Sequence, residues 1–301
     1  MTDIFKTLSE KGVELQADVS LAQMSTFKIG GRAYAVAYPE SADALVECVR
    51  GAKACGLRFL VMGNGSNTLF SDGGYDGLVI STERLRAFSF EGERVICLAG
   101  VSLPLLSKKA AELGLSGLEF ACGIPAYIGG AVYMNAGAHG GEMSDVVVST
   151  RAYDAESDKV FDIVGGDNLF SYRHSVYSES TSLVCLSSEL LLKPDESEKI
   201  KARMREYAEK RRSTQPIEMA SAGSFFKRPE GHFAAKLIDD CGLKGLRVGN
   251  AAVSEKHAGF IVNLGAATAE DVLLLSKLVS DRVFAKTGIR LEREVKYVGR
   301  E

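Results

Sequence analysis

One stretch near the N-terminus has the apolar spacing of a helix. It begins at Ser41, a candidate N-cap, and ends at Gly56, and one face carries its apolar residues Leu45, Val46, Val49 and Ala52. The apolar run 57–62 follows directly and predicts a buried strand. Residues 78–81 predict the next strand, after a loop rich in glycine.

The same order of elements occurs again further along the chain. Residues 95–99 predict a strand, and residues 102–113 predict a helix that begins at Ser102 and ends at Gly114. The repetition predicts two α/β lobes of similar construction.

The pattern then changes to short alternating segments between residues 146 and 192. A polar turn at 154–158 separates 146–153 from 159–163, which predicts a β-hairpin. Residues 195–212 are charged with apolar positions at helical spacing, so we expect an amphipathic helix at the boundary of the last domain. A final helix is predicted over 268–286, with one apolar face formed by Val272, Leu275, Val279 and Val283.

The glycine-rich loop 63–68 (GNGSNT) follows a predicted strand. Its backbone N–H groups are suited to cradle phosphate oxygens, with Ser66, Asn67 and Thr68 as further donors. The loop is not a P-loop and lacks the sixth position of the G-x-G-x-x-G fingerprint. A tight turn between strands is an equally open interpretation.

Residues 117–141 contain seven glycines together with Asn135, in a segment too irregular for one helix. Connections of this length without regular structure are usually functional or disordered, and this one is too apolar for disorder. We therefore favour a ligand-binding loop, with a buried glycine-rich crossing as the alternative.

Two further segments contain candidate polar groups. Arg173 stands in a segment of mixed polarity and is able to pair with a carboxylate or phosphate, although a surface arginine is the commoner case. Residues 223–227 (GSFFK) place a hydroxyl and a cation beside two aromatic side chains, as ligand pockets do. The alternative is a strand with Phe225 buried and Lys227 solvated.

Composition excludes several classes of protein. The net charge of −3 gives no basic stripe for a nucleic acid, and no apolar run approaches the roughly twenty residues that span a bilayer. The four histidines and six cysteines show no metal-ligand spacing, so we expect no metal. We expect a cytoplasmic protein that binds neither nucleic acid nor membrane.

Many short segments, in their order along the chain, resemble the UDP-N-acetylenolpyruvoylglucosamine reductase family. The resemblance extends from about residue 25 to residue 298 and is closest to the shorter (type II) branch. It is carried by residues 26–31 (TFKIGG), 63–67 (GNGSN), 117–120 (GLEF), 123–125 (GIP), 134–137 (MNAG), 172–173 (YR) with Ser175, 214–216 (TQP), 222–227 (AGSFFK), 237–239 (LID), 242–245 (GLKG), 253–255 (VSE) with His257, and 291–295 (LEREV).

The resemblance implies an α+β fold, with a two-lobed FAD-binding domain of the vanillyl-alcohol-oxidase (PCMH) type and a C-terminal α+β substrate-binding domain. We expect FAD-binding lobe 1 at residues 1–84, FAD-binding lobe 2 at 85–205 and the substrate-binding domain at 206–301. FAD would lie between the lobes, and a monomer is expected.

The resemblance also implies the chemistry and its residues. Family members use NADPH to reduce FAD, and hydride then passes from flavin N5 to the enolpyruvyl group of a nucleotide sugar, giving UDP-N-acetylmuramate for peptidoglycan. FAD contacts are expected at Gly63, Asn64, Gly65, Ser66, Asn67, Gly123, Ile124, Gly129, Gly130, Asn135 and Gly137.

Three residues match the catalytic positions of the family. Arg173 would meet the charge that develops on the substrate carboxylate, and Ser224 would deliver the proton. Glu294 would polarise the carboxylate, and Lys227 is expected to contact the anionic substrate.

Some residues depart from the family pattern. The departures are Ala126 and Tyr127 in the flavin loop, His139, and Arg228 after the lysine.

Two other functions are less favoured by the sequence. An oxidase of the same superfamily is disfavoured because no His or Cys stands in a context for covalent flavin attachment. A nucleotide-sugar binding protein without activity is disfavoured because Arg173, Ser224 and Glu294 are intact.

Overall fold

The computed structural model describes residues 2–300, and the side chains from Ile4 onward. Within that range the α-helices are α1 (Thr2–Ser9), α2 (Ala42–Ala54), α3 (Leu103–Glu112), α4 (Ile128–Tyr133), α5 (Val176–Glu179), α6 (Ser197–Thr214), α7 (Ala234–Asp240) and α8 (Ala269–Thr287). Three 3₁₀ helices lie at Glu119–Ala121, Met143–Asp145 and Gly165–Asn168.

The strands complete the α+β composition that the sequence predicts. They are β1 (Glu14–Ser20), β2 (Arg32–Tyr38), β3 (Phe59–Met62), β4 (Thr68–Phe70), β5 (Tyr75–Ser81), β6 (Phe88–Glu91), β7 (Arg94–Leu98), β8 (Leu115–Ser116), β9 (Gly137–Ala138), β10 (Gly141–Glu142), β11 (Val147–Asp154), β12 (Lys159–Val164), β13 (Leu183–Leu191), β14 (Lys193–Pro194), β15 (Ala220–Ser224), β16 (Arg247–Val248), β17 (Ala251–Val253), β18 (Phe260–Asn263) and β19 (Lys296–Val298).

The chain folds as two compact units. The first contains the chain up to Ala17 together with Ala35–Asn64 and Gly77–Lys210, and the second contains Asp18–Tyr34, Gly65–Asp76 and the chain from Arg211 onward. The predicted division into lobes 1–84 and 85–205 and a domain 206–301 remains a prediction.

The first unit is built on a five-stranded antiparallel sheet, with strand order β12-β11-β13-β7-β6. The predicted hairpin is confirmed, since β11 and β12 pair from Ser149↔Val164 to Asp154↔Lys159. The Asp154 carboxylate accepts hydrogen bonds from the N–H groups of Glu156 and Ser157, which stabilises the turn between the two strands. One face of this sheet packs in a core that includes Val95, Leu103, Ile128, Met143 and Leu190.

The predicted helices in the first unit are present for the expected local reasons. Helix α2 begins after Ser41, whose hydroxyl accepts a hydrogen bond from the N–H of Ala44, and its apolar face is buried. Strands β3 and β5 pair in parallel beside it, from Phe59↔Leu78 to Met62↔Ser81. Helix α3 ends at Leu113, followed by Gly114 with φ +71°, as the glycine stop predicts.

The second unit contains a four-stranded antiparallel sheet, with strand order β15-β18-β17-β16. Helix α8 packs on it through Val272, Leu275, Val279 and Val283, all of them fully buried. A capping box between Thr268 and Asp271 begins the helix, and Gly288 with φ +74° ends it. Strand β19 pairs in parallel with β4, which joins residues 65–76 to the C-terminal part of the chain.

Candidate active site

Asn64 joins the two glycine-rich segments of the first unit. Its side-chain Nδ2 donates a hydrogen bond of 2.8 Å to the carbonyl of Pro125, which follows Gly123 and Ile124. The neighbouring Gly63 packs beside the ring of Tyr127, one of the residues that departs from the family pattern. The structure therefore brings Gly63 and Asn64 together with the 123–125 loop.

Gly129 and Gly130 have different roles in the segment that follows. A Cβ on Gly129 would stand 2.9 Å from the Cβ of Ala99, so close packing requires glycine there. A Cβ on Gly130 would meet nothing within 4 Å, and this residue is exposed. Gly130 therefore leaves space for a ligand to approach its backbone.

Asn135 is fully buried, with 0% of its surface exposed, and its backbone has φ +40°. Its Nδ2 donates to the carboxylate of Glu142 at 2.9 Å and to the carbonyl of Ser171 at 3.0 Å. Its Oδ1 accepts from the N–H of Ser144 at 2.9 Å. The side chain thus bonds to the protein around it, and an FAD contact at Asn135 remains a prediction.

Arg173 lies in a tight turn in which Ser171 and His174 are paired. Its backbone has φ +57°, and its side chain is half-buried. The guanidinium Nη2 donates to the carbonyl of Gly137 at 3.2 Å, and the group stands 5.1 Å from the ring centre of Tyr172. The predicted catalytic arginine is therefore bonded to Gly137, which was predicted as an FAD contact.

Residues 65–67 belong to the second unit. Gly65 has φ +60°, and its carbonyl accepts a hydrogen bond of 3.4 Å from the N–H of Thr26. Asn67 Nδ2 donates to the carbonyl of Glu294 at 3.3 Å, and the carbonyl of Asn67 accepts from the N–H of Lys296 at 3.0 Å. Ser66 between them is half-buried.

Ser224 and Glu294 lie on two neighbouring extended segments of the second unit. Phe226 and Arg293 form an antiparallel bridge between these segments, and the N–H of Glu294 donates to the carbonyl of Phe225 at 2.9 Å. Ser224 is exposed, whereas the two residues that follow it, Phe225 and Phe226, are buried with 1% and 4% of their surface exposed. The structure thus brings these two predicted catalytic residues together.

Lys227 forms an ion pair with Glu292 and has 34% of its side chain exposed. This agrees with the alternative interpretation of the segment as a strand with Phe225 buried and Lys227 solvated. The substrate contact of Lys227 remains a prediction. The guanidinium of Arg228 stands 4.6 Å from the ring centre of Phe233. Arg228 therefore covers an aromatic ring.

Helix α6 is attached to the glycine-rich segment by contacts that the sequence analysis missed. Arg203 donates to the buried Glu119 at 2.6 Å, and the His139 ring stacks on Tyr207 with 4.3 Å between ring centres. Burial raises the pKa of the Glu119 carboxyl, but hydrogen bonds from Arg203, Gly117 and Ser116 outweigh burial and hold that pKa below its ordinary value. The sequence signal that indicates such a contact is Glu119 itself, because a charged residue in an otherwise apolar motif needs a partner when it is buried.

The glycine loops of the first unit fit a dinucleotide cofactor such as FAD. Gly63 and Asn64 are joined to residues 123–125, and Gly130 offers exposed backbone with open space where a side chain would stand. A glycine without neighbouring side chains lets phosphate oxygens approach the backbone closely. In residues 2–300, no group of three or more His, Cys, Asp or Glu is arranged to hold a metal ion. No helix in this range has the length and apolar character needed to cross a membrane.

Two family models match the chain. A model of the C-terminal domain of UDP-N-acetylenolpyruvoylglucosamine reductase matches residues 215–298, and a model of an FAD binding domain matches residues 33–161. The UDP-N-acetylenolpyruvoylglucosamine reductase of Caldicellulosiruptor bescii is 44% identical over 97% of this chain and 93% of the relative. The protein of that name from Clostridioides difficile is 40% identical over 96% of this chain and 94% of the relative.

Solved structures give the same result for the fold. The crystal structure of UDP-N-acetylenolpyruvylglucosamine reductase from Thermus caldophilus has a TM-score of 0.80 at 37% identity, covering 95% of this chain and 98% of that chain. A berberine bridge enzyme variant has a TM-score of 0.52 at 16% identity, covering 65% of this chain and 44% of that chain, and shows the fold alone. These matches confirm the predicted α+β fold, with an FAD-binding domain of the vanillyl-alcohol-oxidase type and a C-terminal domain.

Proposed function

The chain belongs to the UDP-N-acetylenolpyruvoylglucosamine reductase family, and from that premise we propose that Arg173, Ser224 and Glu294 carry out the chemistry on the substrate. The protein is an FAD-dependent oxidoreductase that uses NADPH to reduce UDP-N-acetylglucosamine enolpyruvate to UDP-N-acetylmuramate. This reaction is a step of peptidoglycan precursor synthesis. The substrate is a small nucleotide sugar.

The residues that would hold FAD are those of the glycine-rich loops. They are Gly63, Asn64, Gly65, Ser66, Asn67, Gly123, Ile124, Gly129, Gly130 and Gly137. When bound there, FAD would supply hydride chemistry, with NADPH as the hydride source and the terminal carbon of the enolpyruvyl group as the acceptor. The residues of this chain then stabilise the negative charge that hydride addition creates and deliver the proton that completes the reaction.

Arg173 meets the negative charge. Addition of hydride to the terminal carbon breaks the carbon–carbon π bond and moves its electron pair toward the carboxylate, giving an enolate-like intermediate. A guanidinium presents a fixed fork of N–H donors that matches a carboxylate and stabilises the added charge. The left-handed turn at Arg173 and its bond to Gly137 support this role, because the turn fixes the backbone and the bond holds the guanidinium itself.

Ser224 delivers the proton. The carbon that bears the ether oxygen receives the proton of the Ser224 hydroxyl, which completes the lactyl group and leaves an alkoxide that solvent reprotonates. The exposure of Ser224 beside the buried Phe225 supports this role, because a proton donor must reach both substrate and water.

Glu294 assists at the carboxylate. In its protonated form the Glu294 carboxyl donates a hydrogen bond to the substrate carboxylate and so stabilises the same charge as Arg173. The assignment of Ser224 and Glu294 rests on the pairing of the two segments that contain them. In this pairing the N–H of Glu294 donates to the carbonyl of Phe225, the neighbour of Ser224, at 2.9 Å. Backbone pairing fixes the spacing of the acid and its neighbour better than loops would.

The remaining features follow from the substrate and the charge of the chain. Lys227 is assigned to the anionic part of the nucleotide sugar, where its ammonium group would exchange Glu292 for phosphate. NADPH and nucleotide sugars are cytoplasmic metabolites, so the protein is assigned to the cytoplasm. The expected monomer remains a prediction. A net charge of −3 does not favour nucleic acid.

A product assay under air tests this function against the oxidase alternative. The purified protein, NADPH and UDP-N-acetylglucosamine enolpyruvate should give a product two hydrogen atoms heavier than the substrate, with one NADPH consumed for each product. Hydrogen peroxide formation from an alcohol or sugar, without this product, would contradict the proposal and favour the oxidase. Binding of the nucleotide sugar with no product would favour the inactive binding protein.

A further inference from the structure

The side chain of Asn135 connects three separate segments of the first unit. It donates to Glu142 and to the carbonyl of Ser171, and it accepts from the N–H of Ser144. Glu142 in turn accepts a hydrogen bond of 2.6 Å from the Ser144 hydroxyl. Both N–H donors of the Asn135 amide are therefore used within the protein.

Ser171 is the first residue of the turn that holds Arg173. Three bonds attach this turn to residues 133–137: Asn135 Nδ2 to the Ser171 carbonyl at 3.0 Å, Ser175 Oγ to the Tyr133 carbonyl at 2.9 Å, and Arg173 Nη2 to the Gly137 carbonyl at 3.2 Å. The Asn135 bond comes from a side chain with 0% exposure, and a buried donor left without a partner costs free energy.

The backbone of the turn requires such support. Arg173 has φ +57°, a left-handed conformation that costs a residue with a Cβ free energy and persists only where the surroundings impose it. Asn135 has φ +40°, and asparagine tolerates that region better than most residues. The two strained residues are linked by the hydrogen bond from the Asn135 amide to Ser171.

We propose that Asn135 is the positioning residue of Arg173, acting through the Ser171 carbonyl to set the direction of the guanidinium. This inference rests on the proposed function of Arg173 at the substrate carboxylate. It assigns to Asn135 a role in the reaction itself, which differs from the FAD contact that the sequence suggested.

Asn135→Gly is the variant that removes the side chain without straining the left-handed backbone. Displacement of a reacting group by about 1 Å costs on the order of a hundredfold in rate, so kcat/KM for UDP-N-acetylglucosamine enolpyruvate should fall about 10- to 100-fold. The affinity for UDP-N-acetylmuramate, measured by calorimetry, should fall with it, because the product retains the carboxylate. FAD content, measured by absorbance of the purified variant, should stay near that of the parent.

A double-mutant cycle with Arg173→Ala separates positioning from general damage. In the Arg173→Ala background, Asn135→Gly should change kcat/KM by less than about twofold, because the group that it positions is gone. The matched control is Ser107→Ala, which removes a buried hydrogen bond of the same unit, from Ser107 Oγ to the Leu118 carbonyl at 2.7 Å. The control should lower the melting temperature and leave both kcat/KM and product affinity unchanged.

Three outcomes would overturn the inference. They are loss of FAD from Asn135→Gly, an equal loss of kcat/KM in both backgrounds, or an equal loss in Ser107→Ala at the same melting temperature. If Arg173→Ala by itself leaves kcat/KM unchanged, the proposed function of Arg173 fails, and the positioning role fails with it. If Arg173→Ala is impaired but its effect and that of Asn135→Gly on kcat/KM are additive, only the positioning role of Asn135 is rejected, and the proposed function of Arg173 stands.

Discussion

The side-chain amide of Asn67 donates a hydrogen bond to the backbone carbonyl of Glu294, with 3.3 Å between Nδ2 and O. The N–H of Glu294 is bonded to Phe225 on its other side. Glu294 is therefore held from two directions, by a residue of the GNGSN motif and by the segment that carries Ser224. A motif that is expected to bind FAD also supports the residue whose carboxyl we propose to act on the substrate.

Asn67→Ala should lower turnover even in protein that is saturated with FAD. A side-chain hydrogen bond contributes about 0.5–1.5 kcal/mol net, so we expect kcat to fall about 2- to 10-fold at saturating FAD. Steady-state kinetics with a flavin absorbance measurement on the same sample check this. Asn64→Ala removes a comparable bond, to Pro125, and should act on FAD affinity. Full turnover in FAD-loaded Asn67→Ala would show that the bond to Glu294 is dispensable.

Ser224→Ala should separate the two halves of the reaction. Reduction of the flavin by NADPH needs no proton from Ser224 and should continue, whereas reoxidation by UDP-N-acetylglucosamine enolpyruvate should slow by about 10²- to 10⁴-fold, the usual contribution of a positioned acid. Anaerobic stopped-flow absorbance measures each half separately. Near-normal reoxidation would remove Ser224 from the role of acid.

Arg173→Ala should raise KM and lower kcat together, because the guanidinium meets the carboxylate before and after hydride transfer. Removal of one oxyanion donor typically costs about 10²- to 10³-fold in kcat. Arg173→Lys keeps the charge but loses the two-pronged geometry, and should recover KM more than kcat. Steady-state kinetics on both variants check this, and an unchanged kcat in Arg173→Ala would show that the assignment is wrong.

The stability of the second unit should decrease on mild acidification because of His257. Burial lowers the pKa of His257, and its neutral Nδ1 accepts a hydrogen bond of 3.2 Å from the N–H of Gly259. The folded pKa is lower than the unfolded value of about 6.5, so this contribution is complete above that pH and is lost as the pH falls through the folded pKa.

Melting temperatures between pH 7.5 and pH 5 check this effect of His257. The melting temperature of the parent should fall more steeply with pH than that of His257→Gln, because glutamine does not titrate in this range. Parallel curves for the two proteins would show that His257 does not contribute.

Local signals were sufficient to predict the longer helices α2, α3, α6 and α8 and the β11–β12 hairpin, but not the shorter helices or many of the strands. Ser41 caps α2 and Thr268 caps α8, and both begin helices where the sequence places them. The turn at Asp154 joins the predicted hairpin. Each of these depends on residues within a few positions of one another, so the sequence contains the whole interaction.

Contacts between distant segments were not predictable in the same way. The pairing of β4 with β19 joins Thr68 to Lys296, and no local pattern relates such distant residues. The burial of Asn135 was missed for the same reason, since its partner Ser171 lies 36 positions away. The family motifs identified the candidate residues, but the hydrogen bonds that hold them are properties of the fold.

The protein transfers electrons from NADPH through FAD to the enolpyruvyl substrate. An anaerobic visible spectrum of the purified protein checks this transfer, recorded for the protein alone, after NADPH, and again after UDP-N-acetylglucosamine enolpyruvate. We expect a flavin spectrum that bleaches with NADPH and recovers with the substrate in the absence of oxygen. Recovery only when oxygen is admitted, or a protein that neither contains nor binds FAD, would contradict the account.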